Sequence, residues 1–195
     1  HLWDKAFPLF DLMLNLAPSN KDIDPFQAAL RQGICALKLK KPEDALRGLA
    51  SAVKLNKESF EANYYLALAY YQGGEYEKAV PYLKRSLIYN QDANNVHEYL
   101  GLSLYNLKQY RDSLPYLKRA LTDNPENKAV LFGMADSMQQ TGFGDKALKV
   151  FMHLRPDPEF GARSCLSAGI MHMNAGMLDK AEQDFEIGLK HSNVM

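Results

Sequence analysis

Cys165 and His172 stand seven residues apart, a spacing that sets two side chains on one face of a helix. They are the nearest approach in this chain to a metal or nucleophile pair. A zinc site needs three or four ligands, so two residues do not make one, and Cys165 reads better as a buried structural thiol. Ser164, Asp136 and His172 offer a hydroxyl, a carboxylate and an imidazole, but the serine lacks the strand–turn–helix setting of a nucleophile elbow. Gly73, Gly74, Gly142 and Gly144 end apolar periodic stretches instead of following strands, so they do not read as phosphate loops. Lys84-Arg85 and Lys118-Arg119 are four basic residues best explained as a solvated helix face. Neither a catalytic group, a metal site nor a cofactor is expected, and the reading is that of a non-enzyme.

Bulk composition points the same way. The chain has 195 residues, 47% hydrophobic and 24% charged, as a folded protein requires. Lys+Arg and Asp+Glu both total 23, so the basic excess of a general nucleic-acid binder is missing. The apolar run from Phe7 to Ala17 is broken by Pro8, Asp11 and Asn15, and no stretch reads as a membrane span. Cys35 and Cys165 make no disulfide framework, which is compatible with a reducing compartment and slightly favours the cytoplasm. The chain opens on His1 instead of Met and reads as a piece of a longer protein.

The elements that must position any surface follow from a repetition. "YEKAVPYLKRSL" from Tyr76 returns 34 residues later as "YRDSLPYLKRAL" from Tyr110. Extended both ways, this register gives repeats at 26–59, 60–93, 94–127, 128–161 and 162–195 without insertion. The eighth residues are Gly33, Ala67, Gly101, Ala135 and Gly169, and the twentieth are Ala45, Ala79, Ser113, Ala147 and Ala181. Four residues further stand Leu49, Leu83, Leu117, Phe151 and Phe185. Small at eight, small at twenty and large at twenty-four predicts two antiparallel helices, A and B, crossing closely with a large side chain filling the gap. Breakers place helices A near 26–39, 60–73, 94–107, 128–141 and 162–175. Helices B follow near 43–56, 77–90, 111–123, 145–155 and 179–191, and residues 4–17 read as the helix B of a truncated preceding repeat. Asp24 is set to cap the next helix with Pro25 at its first position. Pro8, Pro81 and Pro115 are expected near the first turn of their helices, where few hydrogen bonds are lost. Pro156 and Pro158 should stop the fourth helix B near Arg155 and lengthen the connection that follows.

Leu100-Gly101, Leu66-Ala67 with Tyr70, Ala147 with Phe151, and Pro125 give a pattern that resembles the tetratricopeptide repeat, over essentially the whole chain. The fourth position lacks the family's tryptophan, and Met138 and His172 stand where a tyrosine is expected. The resemblance implies an all-α, right-handed superhelical solenoid of antiparallel helix pairs, with helices A lining a concave groove. It implies a protein or peptide partner, with contact residues at positions five, nine and twelve of each repeat. Here these give Leu30, Ile34, Leu37, Tyr64, Leu68, Tyr71, Glu98, Leu102, Tyr105, Phe132, Asp136 and Gln139, then Leu166, Ile170 and Met173 in the last repeat. Tyr71 and Tyr105 with Leu68 and Leu102 are expected to form one patch, their rings turned away from the A/B packing. The family's carboxylate clamp needs Lys and Asn where this chain has Leu30 and Ile34, and later Asn, Lys and Arg where it has Tyr65, Asn95 and Tyr99, so no clamp is expected.

The leading expectation is thus an interaction scaffold, with the recruiting arm of a larger enzyme or a self-assembly module as alternatives. Phe185, Ile187 and Leu189 at one end cannot all be buried within the last repeat, and Trp3, Phe7 and Phe10 at the other face the same problem, so some are expected to pack against a neighbouring molecule or against a further segment of a longer protein.

Overall fold

The computed structural model describes residues 2–122 and 124–192. Among them are eleven helices and no strand: α1 (Leu2–Leu16), α2 (Pro25–Lys38), α3 (Pro42–Leu55), α4 (Phe60–Gln72), α5 (Tyr76–Tyr89), α6 (Asn94–Asn106), α7 (Tyr110–Ala120), α8 (Lys128–Gln140), α9 (Gly144–Leu154), α10 (Gly161–Asn174) and α11 (Leu178–Ser192). None of the described helices is long and apolar enough to cross a membrane. The chain divides into two compact units, His1–Ser103 and Leu104–Met195, with the division inside α6. In the first, α1 packs on α2, α2 on α3, α3 on α4 and α4 on α5; in the second, α7 through α11 pack each on the next.

Helix pairing follows from the small residues. Gly33, Ala67, Gly101, Ala135 and Gly169 are all buried, as are Ala45, Ala79, Ser113, Ala147 and Ala181. Leu49, Leu83, Leu117 and Phe151 are fully enclosed beside them. In the first unit the core runs through Ala29, Leu30, Ala45, Leu49, Ala52, Ala62 and Leu66. In the second it gathers Phe132, Ala135, Ala147, Phe151, Leu154 and Ala168.

The turn from helix A to helix B is the same backbone motif five times. Lys40, Gly74, Lys108, Gly142 and Gly176, each 34 residues from the last, adopt positive φ between 56° and 90°. The next residue donates its N–H back to the carbonyl five before it: Lys41 to Ala36, Glu75 to Tyr70 and Gln109 to Leu104 at 2.9 Å, Phe143 to Met138 at 2.8 Å, and Met177 to His172 at 2.9 Å. This Schellman closure satisfies carbonyls that the helix end would leave bare, and it needs one left-handed residue. Glycine supplies it three times. Lys40 and Lys108 supply it at a cost of about 1 kcal/mol each.

The expected cap at Asp24 forms, its side chain accepting from Phe26 N at 2.9 Å with Pro25 at the first helical position. Helix α9 ends at Leu154, and six residues (155–160) separate it from α10, against four at 56–59 and 90–93 but seven between α7 and α8, so this link is longer than two of the other B-to-A connections and not the longest. Asp157 Oδ1 accepts from Phe160 N at 2.8 Å and shapes the link. The prolines require a correction. Pro81 and Pro115 are the sixth residues of α5 and α7 and Pro8 is the seventh of α1, so they lie in the second turn. Each removes one i→i−4 hydrogen bond, and all three are solvent-exposed, where the facing carbonyl can bond water instead.

Candidate partner-binding face

In the first unit, the residues expected to meet a partner divide by depth. Leu30 (2% exposed) and Leu102 (7%) are buried. Ile34 and Leu37 are half-buried and pack on the core beneath. Tyr64, Leu68 and Tyr71 of α4 and Glu98 of α6 are half-buried and keep accessible surface. In the second unit Phe132 (5%) is core, its ring 5.7 Å from Phe151 and 5.6 Å from Phe160. Tyr105 and Asp136 stay half-buried, while Leu166, Ile170 and Met173 are exposed. Leu30, Leu102 and Phe132 therefore back the face and offer it little area.

Tyrosines dominate what remains. Tyr99, not among the expected contacts, brings its ring to 4.9 Å from Tyr71 and 6.3 Å from Tyr64. Tyr71 also meets Tyr76 of its own helix B at 5.5 Å, so its ring does not turn away from the A/B packing as expected. In the second unit Tyr105 lies 6.2 Å from Tyr110, and its hydroxyl donates to Asp136 Oδ2 at 2.8 Å. The signal that would have found Tyr99 is its place directly after Glu98, on the edge of the same helix face.

Burial acts on the acidity of these phenols. It pushes Tyr64 up to about 12, helped by Tyr99, Tyr65 and Glu98. It pushes Tyr71 up to about 12, with Tyr76, Tyr99 and Glu98 adding to it. Tyr105 is raised further, by burial and then by its hydrogen bond to Asp136. A raised phenol keeps its proton in the fold when the unfolded chain has already released one. Its stabilisation is complete below pH ~10 and is lost as pH climbs through ~12. Absorbance at 295 nm during an alkaline titration should show a late class of tyrosines, with unfolding in that window. A single class titrating near pH 10 in a folded chain would contradict the burial.

A second polar cluster was not foreseen. Asp184 of α11 is 1% exposed and accepts from Arg155, and its Oδ2 stands 2.7 Å from His172 Nδ1. His172 thus pairs with Asp184, and no triad with Ser164 and Asp136 forms. The hint lay in its replacing a tyrosine: in the second repeat the equivalent pair, Tyr70 and Tyr82, stacks at 5.9 Å. Cys35 and Cys165 are free and buried, and burial raises both thiols, which keeps them protonated and unreactive. Among the described residues no three or more His, Cys, Asp or Glu are grouped to hold a metal ion.

Helix pairs closed by one recurring turn, presenting half-buried aromatic residues from their first helices, define an all-α repeat solenoid. The tetratricopeptide repeat family model matches residues 25–95 and 100–158, and the chain belongs to that family. No curated protein matches it in sequence. Among solved structures, MamA MSR-1 is 23% identical with a TM-score of 0.76, covering 87% of this chain and 98% of its own. YrrB, described as a TPR protein with an unusual peptide-binding site, is 22% identical with a TM-score of 0.77, covering 92% of this chain and 91% of its own. At these identities the likeness is one of fold. Family and fold together support a protein–protein interaction scaffold.

Proposed function

We propose that the helix A faces bind a peptide or helix of a partner protein, without a carboxylate clamp. The observation that carries this is the run of half-buried apolar and aromatic residues at recurring positions: Ile34, Leu37, Tyr64, Leu68, Tyr71 and Tyr105. Tyrosine suits such a surface because it offers large apolar area and a polar tip at small entropic cost. Glu98 and Asp136 set orientation more than affinity. The test is recovery of partners from extract with the wild-type chain and with Tyr71→Ala/Tyr105→Ala. The double variant should bind each captured partner at least about tenfold more weakly, or about 1.4 kcal/mol. Because Tyr71 packs on Tyr76 and Tyr105 bonds Asp136, the variant's melting is measured alongside. Unchanged recovery by a folded variant would move the partner off this face.

A second reading, self-association through the helical ends, is favoured by their apolar surface. Leu2 (84% exposed), Leu9, Leu12 and Leu16 line α1. A cavity of about 420 Å³ is lined by Ala162, Leu166, Phe185 and Leu189 of α10 and α11. Sedimentation at rising concentration tests it. A monomer throughout the range would reject it.

A further inference from the structure

The polar cluster of the second unit stands where the repeat is elsewhere apolar. Arg155 is the twenty-eighth residue of the fourth repeat, and His172 and Asp184 are the eleventh and twenty-third of the fifth. The same three positions hold Val53, Tyr70 and Tyr82 between the first and second repeats, and Leu121, Met138 and Val150 between the third and fourth. Apolar residues are enough to join two repeats: Tyr70 and Tyr82 stack on each other and pack on the core that contains Val53. Enclosing a carboxylate and a guanidinium carries a desolvation cost that an apolar trio avoids. A departure from the local pattern that costs stability is expected where the chain has a use for the charge.

Arg155, His172 and Asp184 line an open cavity of about 480 Å³ between α9 and α11, both of which pack on α10. Its one carboxylate is occupied by its own wall. Asp184 Oδ1 accepts from Arg155, and Oδ2 stands 2.7 Å from His172 Nδ1. Two more cations line the cavity, Lys149 on α9 and Lys180 on α11. Lys180 Nζ reaches the thioether of Met177 at 3.8 Å, a weak acceptor, and neither lysine pairs with a carboxylate among the described residues. Three cations thus face one carboxylate, which leaves two positive charges unanswered.

We propose that this cavity binds a phosphomonoester, with Lys149 and Lys180 as its counter-charges and the Gln183 amide as a further donor. A phosphomonoester carries nearly two negative charges at pH 7 and has three acceptor oxygens, which matches both lysines; a carboxylate would leave one of them unanswered. The volume lies in the range of small-molecule pockets and leaves room for the group that bears the phosphate. Leu148 and Met152 give that group an apolar wall. The buried cluster beneath is a positioning device: it ties Arg155, just past α9, to α10 and α11 and so fixes the spacing of the two helices that carry the lysines. The site lies between helices B and goes beyond the helix A reading.

Two probes test it on the whole chain, glycerol phosphate for a small molecule and N-acetyl-phosphoserine methylamide for a modified side chain. The N-acetyl methylamides of glutamate and serine are the controls, and backbone-amide NMR is the readout. At least one phosphate probe should shift the amides around Lys149, Lys180 and Gln183 saturably, at least about fivefold more tightly than the glutamate control. The amides of Lys84 and Arg85, an exposed basic pair on α5, should not move. Lys149→Gln and Lys180→Gln change exposed side chains and should leave the fold intact, each weakening the probe about threefold and together about tenfold. The tighter of the two phosphate probes assigns the source, a small molecule or a phosphorylated segment. No saturable shift with either probe, equal binding of the glutamate control, or an unchanged affinity in the folded double lysine variant would each overturn the site. Tyr71→Ala/Tyr105→Ala touches none of these residues, so this site and the partner-binding face can fail separately.

Discussion

Gly33→Val is expected to separate α2 from α3 and cost the first compact unit about 3 kcal/mol, the upper range for overpacking a core. A Cβ at Gly33 would stand 2.5 Å from Leu49 Cγ and 2.8 Å from the backbone nitrogen of Leu49. A side chain can rotate aside, but a backbone nitrogen inside a helix cannot. The contact is mutual, since a Cβ at Gly48 would fall 2.9 Å from Gly33 N. Replacing a helical glycine by valine returns only about 0.4 kcal/mol of intrinsic propensity, because valine is itself a modest helix former, and this is too little to offset the clash. Gly169→Val is the control. Its Cβ would meet the ring of Phe185 at 2.4 Å, and that ring belongs to a half-buried side chain able to turn. The loss there should be smaller, about 1–2 kcal/mol. Hydrogen exchange of the α2 and α3 amides, with urea melts of both variants, reads the difference. Equal losses at the two glycines would mean that side-chain crowding, not backbone approach, sets the crossing.

Asp184→Ala should loosen α10 and α11 by about 3 kcal/mol, the scale of leaving a buried charge without its partner. The carboxylate accepts from Arg155, whose side chain is only 20% exposed, and meets His172 Nδ1 at 2.7 Å. Arg155 Nε is already buried with no partner, and besides Asp184 the guanidinium reaches Met152 Sδ at 3.0 Å, a weak acceptor that cannot replace a carboxylate. Alanine leaves that cation nearly enclosed, and the helices must part to let water reach it. Asp184→Asn keeps the volume and an acceptor oxygen, so its loss should be about half as large. Amide exchange should accelerate in α10 and α11 and remain unchanged in the His1–Ser103 unit. An alanine variant as protected as wild type would show the cluster to be energetically silent.

The helices and their pairing were legible because each depends on residues close in sequence. Small residues at eight and twenty with a large one at twenty-four recur at 34-residue spacing, and a close helix crossing is what that pattern can build. Asp24 with Pro25, and Pro156 with Pro158, act on the backbone next to them, so their effects were readable one by one. The turns at Lys40 and Lys108 were not readable in the same way. Lysine carries no signal for positive φ, and the left-handed residue there is imposed by the helix pair that the turn must close.

For the candidate face, the sequence determined which positions recur and that most are apolar or aromatic. Only the tertiary structure decided their depth: Leu30, Leu102 and Phe132 sink into the core, while Tyr64, Tyr71 and Tyr105 remain half-buried. It also brought Tyr99 to Tyr71, and Arg155 to Asp184, from helices whose spacing along the chain says nothing about contact. The physical reason is that periodicity fixes the direction of a side chain around its own helix. How far that side chain is covered depends on the neighbouring helix, its size and its distance, and these are properties of the packed chain.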